Sequence, residues 1–159
     1  MIFYLLAMLA AVSAKWYGQA IKGQFSGTAS RRVDWVNDTI KVALVKSAYT
    51  PNQDEHDFWN DVSANEITGT GYTAGGKALS EKTLTYDAAS NTVRMDAKDV
   101  EWAESTLTAR YAVIYKVEGS SAESPVLGYV DFGEDKSTSS GIFKIEWDAT
   151  DGVLRDIVS

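Results

Sequence analysis

The sequence predicts a mainly β fold, an antiparallel sandwich or barrel of about seven or eight strands with an N-terminal helix and one short internal helix. Three observations carry this. Short apolar–polar alternating runs recur from Thr39 to the end of the chain. Clusters of Gly, Asn, Asp and Ser separate them at intervals near ten residues, and helical spacing is confined to the first thirty residues and to a stretch after Pro51. The chain divides into an N-terminal apolar and aromatic segment, 1–30, and a β domain, 31–159.

The opening "MIFYLLAMLAAVSA" is apolar from Ile2 to Val12, shorter than the roughly 20 residues a spanning helix needs. Val12 and Ala14 suit a small-residue cleavage site before Lys15, although no basic residue precedes the apolar run. Residues 1–14 therefore read as a leader, which would make the protein secreted, as a buried apolar helix, or as an upstream start. Next, Trp16, Tyr17, Ala20, Ile21 and Phe25 fall on one face of a short helix. Gly18 and Gly23 weaken that helix by about 1 kcal/mol each relative to alanine, so the segment needs a surface to lie on, in its own domain or on a neighbouring chain.

"TIKVALVK", Thr39–Lys46, alternates Ile40, Val42 and Leu44 with Lys41 and Ala43 and reads as a half-buried strand. In "TPNQDEHDFWNDV" Pro51–Asp54 can start a helix whose first turn is acidic, with Phe58 and Val62 four apart. Lys82–Ala97 reads as a hairpin: Leu84 and Tyr86 precede the turn "DAASN", and Val93 and Met95 follow it. "TARYAVIYKV", Thr108–Val117, is apolar on both faces and suits a central strand. "SPVLGYVDFG" and "GIFKIEWDA" read as two further strands joined by a polar loop, "GEDKSTSSG". "GVLRDIV" reads as a closing edge strand.

Composition narrows the functional classes. Fifteen Lys and Arg against 22 Asp and Glu give a net charge of −7, which repels phosphate backbones and anionic lipid, so neither a nucleic-acid nor a membrane partner is expected. The chain has no cysteine, which removes disulfides and thiolate chemistry. "GYTAGGKA", Gly71–Ala78, has the Gly-x-x-x-x-Gly-Lys spacing of a phosphate loop, but Ala78 stands where a Ser or Thr would bind magnesium. The residues that follow are β-like, whereas a phosphate loop must open a helix, so the glycines are expected to serve a tight connection. His56 is the only histidine and reads as part of a solvated acidic helix start; Asp99 and Glu101 form a chance carboxylate pair. No catalytic, cofactor-binding or metal-binding residue is assigned, and no cofactor is expected. Five Trp and eight Tyr are many for this length. Those outside the regular strands, Trp16, Tyr17, Phe25, Trp59 and Tyr72, together with Ile21, are the candidate interface residues.

"KVALVKSAYTPNQDEHDFWNDVSANEITGTGYTAGG", "LTARYAVIYK" and "LGYVDFGEDKSTSSGIFKIEWDA" together resemble a family of small virion structural proteins of tailed bacteriophages. The resemblance runs from Lys15 to Ser159 and departs at Met1–Ala14. It implies a non-enzymatic assembly role without fixing the position on the particle; a capsid-associated decoration or stabilising protein is the first reading, and a tail or fibre module binding a host surface, or a secreted bacterial β-sandwich protein, are the alternatives. It further implies other virion proteins as partners, a homo-oligomer or repeated array, and assembly in the host cytoplasm.

Overall fold

A computed structural model of the chain describes residues 6–158; the expectations for Met1–Leu5 lie outside them. The elements are β1 (Leu6–Val12), β2 (Lys15–Trp16), α1 (Gly18–Gln24), a 3-10 turn (Ala29–Arg31), β3 (Ile40–Val45) and α2 (Asn60–Ser63). They continue with β4 (Lys77–Ala78), β5 (Thr83–Asp87), β6 (Thr92–Asp96), β7 (Val100–Lys116), β8 (Val126–Trp147) and β9 (Leu154–Ile157). The fold is mainly β, as the alternating runs predict. One sheet runs β1–β8–β7–β3–β4 with β2 added on β8, and a second runs β5–β6–β9. Among the described residues every strand pair is antiparallel except β1 with β8.

The two sheets share one apolar core, which gives the sandwich-like arrangement. β3 sits between β7 and β4 and is buried on both faces apart from Lys41, because its sequence "IKVALV" is apolar at both parities. Where the sheets meet, Gly128 of β8 lies under Leu154 of β9: an added Cβ would come within 2.7 Å of Leu154 Cδ2 and of the Lys15 carbonyl. A side chain at this point would push the small sheet away.

Two long strands replace what the sequence divides. "GEDKSTSSG" is not a loop between two strands but the middle of the single 22-residue β8, whose pairing with the 17-residue β7 is interrupted by bulges at Phe132–Asp135 and Ser139–Ser140 and resumes beyond each. Its polar residues are satisfied across the ladder. Thr108 and Ser137 hydroxyls meet at 2.7 Å, and the buried Ser105 and Thr138 hydroxyls meet at 2.9 Å. The turn-forming residues appear as irregularities instead: Glu104, Gly133 and Ser140 take positive φ (50°, 79° and 49°), and the register shifts between Trp102 and Ser105 and between Ser105 and Leu107. Such bulges bend and twist a strand pair without ending it.

Two helical expectations also change. Leu6–Val12 is a strand, held parallel to β8 from Ile142 to Trp147, and the helix is confined to Gly18–Gln24. An apolar run with no polar stripe has no amphipathic period to fix a surface helix, and the edge of β8 satisfies its backbone. The internal helix is one turn, Asn60–Ser63, and starts later than Pro51–Asp54 suggests. There the Asn52 side-chain oxygen accepts the Asp54 and Glu55 N–H groups at 3.1 and 3.2 Å and closes a turn. Asp61 accepts the N–H groups of Asp57 and Phe58 instead, at 3.0 and 3.1 Å.

"GYTAGGKA" is a tight connection at the β3 edge, with Gly71, Gly75 and Gly76 all at positive φ. Gly76 packs flat on β3, where a Cβ would come within 2.0 Å of the Val42 carbonyl oxygen. The segment leads into β4, paired with Lys41 and Val42, so no helix N-terminus faces the glycines. Lys77 gives its ammonium to the Glu101 carbonyl at 2.6 Å and lies over the Trp102 ring. Gly76→Ala therefore costs on the order of 2–4 kcal/mol of stability, from strain and overpacking. Lys77→Ala costs less than about 1 kcal/mol. Urea midpoints of the two variants distinguish the roles.

Candidate protein interface

The N-terminal segment is built onto the domain by main-chain contacts. The Tyr17 N–H donates to the Leu127 carbonyl at 2.9 Å, and Gly18 N–H donates to Gln53 O at 2.9 Å. The Gln53 amide returns a hydrogen bond to Trp16 O at 2.6 Å, and Gln19 donates to Asp54 O at 2.7 Å. The loop after Pro51 thus clamps β2 and the start of α1. Below the clamp, Tyr17 is fully buried, its hydroxyl 2.6 Å from that of Tyr49, which lies 2.8 Å from His56 Nδ1. His56 Nδ1 also accepts the Asn52 N–H at 3.3 Å. His56 is a structural member of this chain of hydroxyls.

The far end of α1 is fixed by Gln24. Its amide donates to Ala20 O at 3.3 Å and Arg31 O at 3.2 Å, and its oxygen accepts the Val33 N–H at 3.0 Å. Two indoles then tie this layer to the small sheet: Trp16 Nε1 donates to Arg155 O at 2.8 Å, and Trp35 Nε1 to Asp96 O at 3.1 Å. Between α1 and the small sheet these anchors leave a groove of about 190 Å³. Ile21 and Phe25 form one wall, Leu84 and Val93 the other, and Trp35, Met95 and Leu127 lie along it. Phe25 is 88% exposed and Leu84 53% exposed, so the rim is as apolar as the lining. Asp156 is the one charged residue in that lining.

The six candidate interface residues separate into two groups. Trp16, Ile21 and Phe25 come together in the groove. Tyr17 and Trp59 are buried and present no surface: Trp59 stacks on Tyr115 with centroids 4.5 Å apart and planes 6° apart. Tyr72 is half-buried, donating to Glu66 Oε1 at 2.7 Å and accepting the Leu44 N–H at 3.0 Å. These three lie off the regular strands yet fill the core, because irregular segments fold back over the sheet edges and need large side chains to cover them. Leu84, Val93 and Met95 of the groove went unassigned because strand alternation marks them as an inward face. A signal was present in the all-polar surroundings of Leu84, which leave few residues to cover it.

Asp99 holds Lys144 at 3.0 Å and accepts the Trp147 N–H at 3.1 Å. Among the described residues no group of three or more His, Asp or Glu side chains is placed to hold a metal, and no helix is long and apolar enough to cross a membrane. Compared with known proteins, the chain matches no family model, no curated protein and no solved structure.

The two aromatic groups should respond differently to truncation. Trp59→Ala costs about 3–5 kcal/mol, as for other buried Trp side chains. Phe25→Ala shifts stability by less than about 0.5 kcal/mol; chemical denaturation of both variants checks this. A second expectation concerns alkali. Burial pushes the Tyr49 phenol up to about 12, and burial followed by the Glu66 charge pushes Tyr115 up to about 12. Burial, then Tyr49, pushes Tyr17 higher still. The folded state favours each neutral phenol, so this stability is complete below about pH 10 and is lost as pH rises towards 12. In Tyr115→Phe the fall of stability over that range is shallower by about one proton, roughly 1.4 kcal/mol per pH unit.

Proposed function

We propose that the protein is a non-enzymatic structural component of a bacteriophage virion, a capsid-associated decoration or stabilising protein that docks on other virion proteins through its N-terminal segment. The observation that carries this reading is the apolar groove. Three N-terminal residues singled out by sequence, Trp16, Ile21 and Phe25, meet there on the surface, and the exposed rim residues Phe25 and Leu84 invite burial by a partner. The resemblance of Lys15–Ser159 to small phage structural proteins supplies the kind of partner. A host-binding role through Trp59 and Tyr72 loses its support, since the first is buried and the second is spent on Glu66 and Leu44.

In this reading the sandwich-like body projects and the groove seats on a repeated surface during assembly in the host cytoplasm. Purified particles analysed by mass spectrometry and electron microscopy should contain the protein in many copies, with the α1 face against the shell. Absence or trace abundance overturns the role. Phe25→Asp and Leu84→Asp should lower incorporation by at least about tenfold, because an unpaired carboxylate buried at an interface costs several kcal/mol. Their urea midpoints should stay near wild type, since both positions are exposed.

A further inference from the structure

We infer that β5 is a pairing edge for a second copy of this chain. Among the described residues β5 is the outer strand of the small sheet, pairs only with β6, and is exposed along its whole length. A strand edge presents unpaired N–H and C=O groups, and proteins blunt such edges with lysine, proline or a bulge. Thr83–Asp87, "TLTYD", contains none of these. Lys82, the cation just before it, is turned away: its ammonium donates to the Asp38 carbonyl and lies near the charges of Asp38 and Asp34.

The sequence of β5 is complementary to itself about Thr85. An antiparallel pair with its two-fold axis at Thr85 sets Leu84 of one copy opposite Tyr86 of the other, Thr85 opposite Thr85, and Thr83 opposite Asp87. Leu–Tyr and Thr–Thr are favourable cross-strand pairs, and the threonine hydroxyl can donate to the carboxylate. Asp87 is the only charge in the strand, so no like charges are opposed even though the whole chain carries −7. The axis on Thr85 satisfies the two edges whichever parity of residue points its backbone outward, because both sets, 84 with 86 and 83 with 85 and 87, map onto themselves. Leu84 and Tyr86, 53% and 57% exposed and of one parity in the strand, would form a continuous four-residue row across the pair. The product is one six-stranded sheet, β9–β6–β5–β5–β6–β9, with an isologous interface.

Five residues of edge bury less than the roughly 1,600 Å² of a standard interface, so the pair forms at high concentration, about 0.1–1 mM. The pairing deepens the repeated-array part of the proposed role but does not require a particle. Sedimentation equilibrium of the wild-type chain in that range should show monomer and dimer. Thr85→Lys and Thr85→Glu set like charges across the axis, and each should weaken association by at least about tenfold. An equimolar mixture of the two should associate at least as well as wild type, because Lys then meets Glu, an outcome that misfolded variants cannot give. A wild-type chain that is monomeric throughout, a dimer indifferent to both substitutions, or a mixture without recovery overturns the pairing. If Thr85→Lys is incorporated normally into particles while wild type is monomeric, the pairing fails and the virion role stands.

Discussion

The antiparallel ladder between β7 and β8 is the constraint on which the other elements depend. It holds 17 residues of one strand against 22 of the other and passes through several irregular registers without breaking. One half, Ala112–Tyr115 against Val126–Val130, is buried and carries β3 on one side and β2 on the other. Past the bulges the other half carries β1 on the edge of β8, next to Phe143 and Ile145. A flat ribbon of this length would not wrap a core; the bulges at Glu104, Gly133 and Ser140 coil it, and nearby hydroxyls take up backbone groups, Thr106 accepting the Ser140 N–H and Ser105 donating to the Gly141 carbonyl.

Around this ladder the irregular segments are held by polar groups placed inside. Lys116, nearly buried at the end of β7, reaches Glu118 at 2.7 Å, Asp38 at 3.2 Å and the Arg32 carbonyl at 2.8 Å. Burial alone would lower its pKa, but the hydrogen bonds and charges of Glu118 and Asp38 outweigh that and raise it. The ammonium thus joins the 32–38 loop to the sheet, and that loop brings Trp35 under the groove. At the other end the Tyr17–Tyr49–His56 chain and the Gln53 contacts hold α1. A seven-residue helix with two glycines and no side-chain cap has no stability of its own; the groove wall exists because tertiary contacts impose it.

The sequence was most legible where a single period persists. β3, the β5–β6 hairpin and β9 fall where alternation and turn chemistry place them. It was least legible where polar composition imitates a loop: "GEDKSTSSG" has the residues of a turn, and only pairing with the preceding long strand, some thirty residues back, turns it into a ladder. Aromatic residues posed the same difficulty. Tyr17 and Phe25 sit eight residues apart in one segment and share a periodicity, yet one is fully buried and the other 88% exposed. What separates them is the clamp from Gln53 and the hydroxyl of Tyr49, neither of which local spacing can reveal.

Part of the exposed apolar surface gathers around the groove. Phe25 and Leu84 flank the groove, and Tyr86 shares the Leu84 face of the hairpin. Thr85, Tyr86, Asp87, Thr92, Arg94 and Arg155 line a second, polar cleft. Leu84 and Met95 line the groove while Thr85 and Arg94 line the cleft, so a slip of one residue in the hairpin would exchange them. This register costs something in solubility, since hydrophobic surface is turned towards water. A net charge of −7 opposes indiscriminate association while leaving a geometrically matched surface free to bind. Strong overall repulsion combined with one apolar, strand-edged face is what a subunit needs if it is to remain dispersed when free and to adhere in one orientation when placed.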